Sequence, residues 1–179
     1  MPKRQLRADA QRNRDRVLAI AQQVFAVEGL AVPIDEIAKR AGVGIGTVYR
    51  HFPTKEALFA AIVHDRMERL IELATAAAGD AKPGDAFFAV LDRMFEDGAH
   101  KKDLVDALTG AGVDVRAQAK DVKARLHKAL GYLLRRAQAA KAVRTGIDVA
   151  DVMALLSATF RGGSPARLFA VVCDGLRAV

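Results

Sequence analysis

The run Gly46-Thr47-Val48-Tyr49-Arg50-His51-Phe52 gathers a hydroxyl, a phenol, a guanidinium and an imidazole on one short stretch, and Lys55 follows just beyond it. At helical periodicity Val48 turns inward, leaving Gly46, Thr47, Arg50 and His51 on an outward face with Tyr49 at its edge. Such a face is small at its start, where a backbone must come close, then carries hydroxyls and cations. The chemistry such a face suits is non-covalent recognition of duplex DNA, through hydrogen bonds to phosphates and base edges. Taken singly, Tyr49 and Phe52 suit a small core and His51 suits a surface. Their joint occurrence in this order is what points to DNA.

Other groupings resemble chemistry and fail on inspection. Gly42-Val43-Gly44-Ile45-Gly46 looks like a phosphate loop, but no strand precedes it, its third glycine is displaced and no lysine of the Walker type follows. His64 and Glu68 stand one helical turn apart and lack a third metal ligand. Asp92, Glu96, Asp97 and His100 lie beside Lys101 and Lys102 and read as a solvated ion-pair patch. Cys173 is the single cysteine, with apolar neighbours that favour a packed thiol, and it excludes an intrachain disulfide. With no nucleophile, base and orienting group in any recognisable set, the reading is of a protein that is not an enzyme and takes no cofactor or metal.

Positioning that outward face requires two short helices and a tight turn. The first follows Pro33, places Asp35 and Glu36 where they complement the helix dipole, turns Ile34, Ile37, Ala38 and Ala41 inward and stops at Gly42. Gly42 suits the left-handed conformation needed to leave that helix. The second spans about Ile45 to Phe52, and Val43 and Val48 seal it against Ile37 and Ala38. This is the helix-turn-helix layout. A longer helix precedes it, from about Ala10 to Val27, with Val17, Leu18, Ala21, Val24 and Phe25 at three- and four-residue spacing. Thr54 is the N-cap of another long helix, from Lys55 to about Ala78.

Charge supports a polyanion-binding head. The 179 residues hold 28 Lys/Arg against 21 Asp/Glu, a net +7. Residues 1–55 account for 10 and 5 of these, or +5, and the remaining 124 for 18 and 16, or +2. Lys3, Arg4, Arg7, Arg12, Arg14 and Arg16 form a basic N-terminal arm, either a solvated tail or a source of phosphate and minor-groove contacts. Arg12 and Arg16 share one helical face. Aromatics are scarce, at 6%, which argues against a single-strand binder built on stacking platforms.

At this point the sequence resembles a known family. Ile37-Ala38, Ala41-Gly42-Val43, Gly46 to Phe52 and Lys55-Glu56-Ala57-Leu58 match in order and spacing the signature of TetR-like regulators over about Val17 to Phe59. More loosely, the whole chain resembles actinobacterial members with no assigned ligand. The resemblance implies an all-α protein of about nine helices. Residues 1–54 would be a three-helix helix-turn-helix domain binding DNA, and residues 55–179 a helical domain for effector binding and dimerisation. It further implies that Thr47, Tyr49 and His51 contact phosphates, that Lys55 clamps a phosphate, and that Ile45, Gly46 and Arg50 face base edges, Arg50 reading guanine. Two positions depart from the family's pattern. Pro33 stands where a capping Ser or Thr is usual, so that cap contact is lost. Ile45 is apolar where polar residues are common, and reads a thymine methyl or nothing.

Beyond a Gly79–Gly84 linker, helices are expected at about 85–97, 102–109, 114–142, 148–161 and 165–178. The last two are apolar on more than one side. Val152, Leu155 and Leu156 do not fit one narrow stripe, nor do Leu168, Val171 and Val172. Such helices bury against both their own core and something else, most simply a second copy in a two-fold four-helix interface; the alternative is a fully buried pair within the chain. A two-fold dimer demands a palindromic site. An unidentified apolar or amphipathic effector is expected among the middle helices, with Phe87, Phe88, Leu91, Met94, Leu108, Leu130 and Leu133 as candidate lining, although plain core is the competing reading for most of them. The resemblance implies that the ligand acts through the long helix from Lys55 and releases a repressor from its operator. No run approaches the 18 apolar residues of a membrane span, and the basic start is followed by no apolar stretch, so a cytoplasmic protein is expected. Three rivals remain: a constitutive DNA-bound regulator without ligand, a small helical enzyme whose basic head binds an anionic substrate, and a membrane-surface protein.

Overall fold

The computed structural model describes residues 3–110, 120–161 and 163–178, with side chains described over 8–98, 120–161 and 163–178. Eight helices lie among them: α1 (Lys3–Glu28), α2 (Ile34–Ala41), α3 (Ile45–His51), α4 (Lys55–Ala77), α5 (Pro83–Gly110), α6 (Lys120–Ala139), α7 (Val149–Thr159) and α8 (Pro165–Leu176). The all-α class is as the sequence implies. The described chain divides into two compact units. One holds residues up to Asp65 with the end of α5 beyond Lys101, and the other holds Arg66–Lys101 with the chain from Lys120 on.

In the first unit, α1 turns Val17, Leu18, Ala21, Val24 and Phe25 into a core completed by Ile34, Ile37, Ala38 and Ala41 of α2, Val48 of α3, Phe52, and Leu58, Phe59, Ile62 and Val63 of α4. Each of the larger side chains contributes about 1.5–3 kcal/mol on burial, the alanines less. Phe25 and Phe59 meet edge to face with centroids 5.0 Å apart. Gly42 ends α2 at φ 64°, ψ 35°, and the Val43 N–H donates to the Ala38 carbonyl at 3.1 Å, closing the helix end. Pro33 is the N-cap of α2 and provides no side-chain cap bond. The Thr54 hydroxyl accepts the Ala57 N–H at 3.1 Å and caps α4. Arg40 of α2 ties Glu36 to Glu28 at the end of α1.

Helix α1 starts seven residues earlier than its apolar spacing indicates, because the arm itself is helical. Its residues are good helix formers, and Arg12–Asp9 and Gln11–Asp15 pair along one face.

In the second unit, Met67, Leu70, Ile71 and Ala74 of α4 belong to a core with Phe87, Val90, Leu91 and Met94 of α5, Val122, Leu126, Leu130, Leu133, Leu134 and Ala137 of α6, Val152 and Leu156 of α7, and Phe169 and Leu176 of α8. Asp148 and Asp151 form a reciprocal capping box at the start of α7. A short antiparallel bridge between Val143 and Arg177 ties the chain after α8 to the loop after α6. Two helices expected at 85–97 and 102–109 are one: α5 runs on without a break through Gly98. The helix expected from Asp114 is described from Lys120, and its earlier residues lie outside the described range.

Candidate nucleic-acid interface

Helix α3 is seven residues long and buries one of them, Val48. Fixing that single anchor turns the rest outward. Ile45 is 40% exposed and Tyr49 46%, Gly46 and Arg50 are exposed, and Thr47 and His51 are half-buried. The Thr47 and Val48 N–H groups both donate to the Gly44 carbonyl, at 2.8 and 3.3 Å, so the first turn is tight and the side chains follow in register.

Gly46 is informative because no contact among the described residues requires it. A Cβ built there would meet no atom within 4 Å, yet glycine in a helix costs about 1 kcal/mol relative to alanine. A bare backbone at the exposed start of α3 fits the close approach of an external surface.

Lys55 opens α4 three residues beyond Phe52. Its Nζ lies 5.9 Å from the centroids of both Phe25 and Phe59, a contact with ring faces that offsets the penalty of a cation at a helix N-terminus. Beside it, the Glu56 carboxyl is held below its usual range, first by its own backbone N–H and then by the Thr54 hydroxyl. The seven residues assigned to DNA from sequence, Ile45, Gly46, Thr47, Tyr49, Arg50, His51 and Lys55, thus lie on α3 and the first position of α4.

The residues read as effector lining fall differently. Phe87, Leu91, Met94, Leu130 and Leu133 are buried. Phe88 is half-buried, and the Arg177 guanidinium carbon lies 4.4 Å from its ring centroid; no spacing in the sequence pairs those two. Leu108 lies outside the residues whose side chains are described. Of the residues read as a dimer face, Val152 and Leu156 are buried in their own unit, Val172 is half-buried, and Leu155, Leu168 and Val171 point to solvent, Val171 at 63% exposure.

Three of the acidic residues in the groupings set aside as non-catalytic, Glu68, Glu96 and Asp97, form ion pairs. Glu68 accepts two hydrogen bonds from Arg125, at 2.6 and 2.9 Å. Arg93 reaches both Glu96 and Asp97 at 3.2 Å, while the side chain of His100 lies outside the described range. Burial pushes the Cys173 thiol up, helped by Asp92. Among the described residues no helix is long and apolar enough to cross a membrane.

The family model of bacterial regulatory proteins of the tetR family matches residues 17–62. The model for the C-terminal domain of SbtR-like transcriptional regulators matches residues 82–178. The crystal structure of a TetR transcription regulatory protein from Mycobacterium vanbaalenii is 47% identical, with a TM-score of 0.81 over 97% of this chain and 99% of that one. A TetR transcriptional regulator from Streptomyces coelicolor is 32% identical, with a TM-score of 0.75 over 93% and 99%. An HTH-type transcriptional regulator of Staphylococcus aureus is 44% identical over 54 residues, which is 30% of this chain and 29% of that protein, so the chain spans under a third of that curated relative.

Proposed function

Since this chain belongs to the TetR family of bacterial transcriptional regulators and is a DNA-binding regulator rather than an enzyme, we propose that it is a repressor that binds a palindromic operator as a homodimer and is released by a small apolar or amphipathic effector. The observation that carries the DNA half is the face of α3: one buried valine, an unforced glycine and five outward side chains suited to phosphates and base edges. Thr47, Tyr49, His51 and Lys55 hold phosphates, while Ile45, Gly46 and Arg50 approach the bases. Residues 1–54 serve as the DNA-binding domain and 55–179 as the effector and dimerisation domain of a cytoplasmic protein.

The dimer half is supported by Leu155, Leu168 and Val171, apolar side chains turned to solvent on the α7–α8 pair. Two recognition helices related by a two-fold axis then read half-sites about 34–36 Å apart. The effector, bound among α5 and α6, must prefer the protein conformation that does not bind DNA, since only differential affinity shifts an equilibrium.

A second reading, a constitutive regulator without a ligand, draws on the burial of Phe87, Leu91, Met94, Leu130 and Leu133, which pack as ordinary core. A small-molecule thermal-shift screen separates the two, because an effector that binds the folded protein raises its melting point by mass action.

The deciding experiment captures genomic DNA fragments with the purified chain at near-physiological salt and sequences them. A shared palindrome in promoter regions supports the reading. Uniform, salt-sensitive capture without a motif overturns it.

A further inference from the structure

Helix α1 begins at Lys3, and among its residues with described side chains, from Ala8 on, none before Val17 is fully buried. Ala10, Asn13 and Arg14 are half-buried on the face that continues to Val17, while the other described residues of this stretch are exposed and gain little from the core. Between Lys3 and Arg16 it carries six cations, Lys3, Arg4, Arg7, Arg12, Arg14 and Arg16, against Asp9 and Asp15. The complementary occupant is a polyanion.

One of these cations is singled out. Arg12 is paired to Asp9 one turn away, and Arg16 is exposed. Arg14 instead lies with its guanidinium carbon 5.6 Å from the ring centroid of Phe52, the buried residue that closes α3. The His51 imidazole, next in sequence, lies beside the same ring, tilted 49° to it with centroids 6.2 Å apart. The guanidinium of α1 and the imidazole of α3 thus both neighbour Phe52. The ring contact restricts the Arg14 rotamers, so less side-chain entropy is lost when its donors meet an acceptor. Its ion partner among the described residues is Asp15, at 3.7 Å, beyond hydrogen-bond reach, and that carboxylate already accepts from Gln11 at 2.8 Å. The Arg14 side chain remains 36% exposed.

The geometry points to Arg14 as a phosphate contact of the DNA-binding head, a guanidinium fork held beside the end of α3 that grips the duplex backbone next to His51. This rests on the DNA-binding reading above. It also separates Arg14 from Arg12, which is paired to Asp9, and from Arg16, which is exposed. A guanidinium suits the task because its planar fork matches two phosphate oxygens.

The test measures affinity of the full chain for its captured operator and for a scrambled duplex of equal length, across a salt series, alongside melting curves. Arg14→Met keeps an apolar stem against Phe52 and removes the charge. The expected result is equal, several-fold weakening on both duplexes, with the slope of log affinity against log salt reduced by about 1 per chain bound. Arg14→Lys should keep most of the slope. A lower melting point with an unchanged slope would make Arg14 a packing residue and overturn the inference. Weakening confined to the operator would overturn it too, by making Arg14 a base reader. Failure of the unmodified chain to bind either duplex would instead sink the DNA-binding reading and this inference with it.

Discussion

Gly98 and Phe160 fit each other so closely that a Cβ on residue 98 would lie 2.4 Å from Cζ of the phenylalanine and 2.6 Å from Cε2. The ring has little room to retreat. Phe160 stacks on Phe95 at 5.2 Å, and Phe95 stacks on Phe169 at 4.3 Å, joining α5, the end of α7 and α8 in one pile. Alanine in place of glycine gains about 1 kcal/mol of helix propensity, while overpacking costs about 1–3 kcal/mol. The clash wins if the stack holds. Gly98→Ala is therefore expected to lower the melting temperature, and Gly98→Ala combined with Phe160→Leu to recover it. A single variant that melts higher would mean that the ring moves aside freely.

Arg50 and Lys55 are expected to fail in different ways. Arg50→Ala should cost about 1–3 kcal/mol on the captured operator and blur discrimination at one base pair. Lys55→Ala should weaken all sequences alike and reduce the salt slope by about 1. Binding to a panel of single-base operator variants, repeated at several salt concentrations, reads both. Equal weakening on every sequence by Arg50→Ala would remove it from the base-reading set.

Leu156 and Val171 sit on the same helix pair with opposite exposures, 6% and 63%. Leu156→Ala should destabilise the fold by about 2–5 kcal/mol through a lost core contact. Val171→Glu should leave the melting point of the isolated chain nearly unchanged and convert a dimer to a monomer in sedimentation, by burying a charge at the interface. A dimer that survives both Val171→Glu and Leu168→Glu places its interface elsewhere.

The bridge from Arg40 to Glu28 and Glu36 makes a pH-dependent contribution to the first unit. Hydrogen bonding by Arg40 is the main cause holding both carboxyls below the usual glutamate range. Because the folded-state values are depressed, the unfolded chain binds protons more readily in mild acid. The stabilisation is thus complete above the ordinary glutamate range and is lost as pH falls through the lowered folded values. All three groups are at the surface, so the effect is small. Melting temperature should fall below about pH 4.5, and Arg40→Gln should melt lower at neutral pH and lose less on acidification. Parallel curves for the two proteins would show that the bridge contributes nothing.

The recognition element was legible because its determinants are local. Gly42 leaves α2 in the left-handed region, Thr54 caps α4 within three residues, and the inward turn of Val48 beside outward Tyr49 and Arg50 follows from helical period alone. Charge could be located the same way, since the basic residues cluster in the N-terminal third. The sequence by itself therefore determined the helical class, the helix-turn-helix and the side chains it presents.

Tertiary packing decided the remainder. Gly98 carries a local penalty that suggests a break, yet α5 runs through it, and the reason for a glycine there is Phe160, distant in sequence, which occupies the space a side chain would need. Leu155 and Leu156 are the same residue type one position apart, and only the placement of α7 against its neighbours makes one exposed and the other core. Arg14 has Phe52 beside it, whereas Arg12 pairs with Asp9 and Arg16 is exposed. Periodicity and capping act within about one or two helical turns, so a sequence displays them directly; which distant side chain fills a notch or faces a cation depends on how the helices pack.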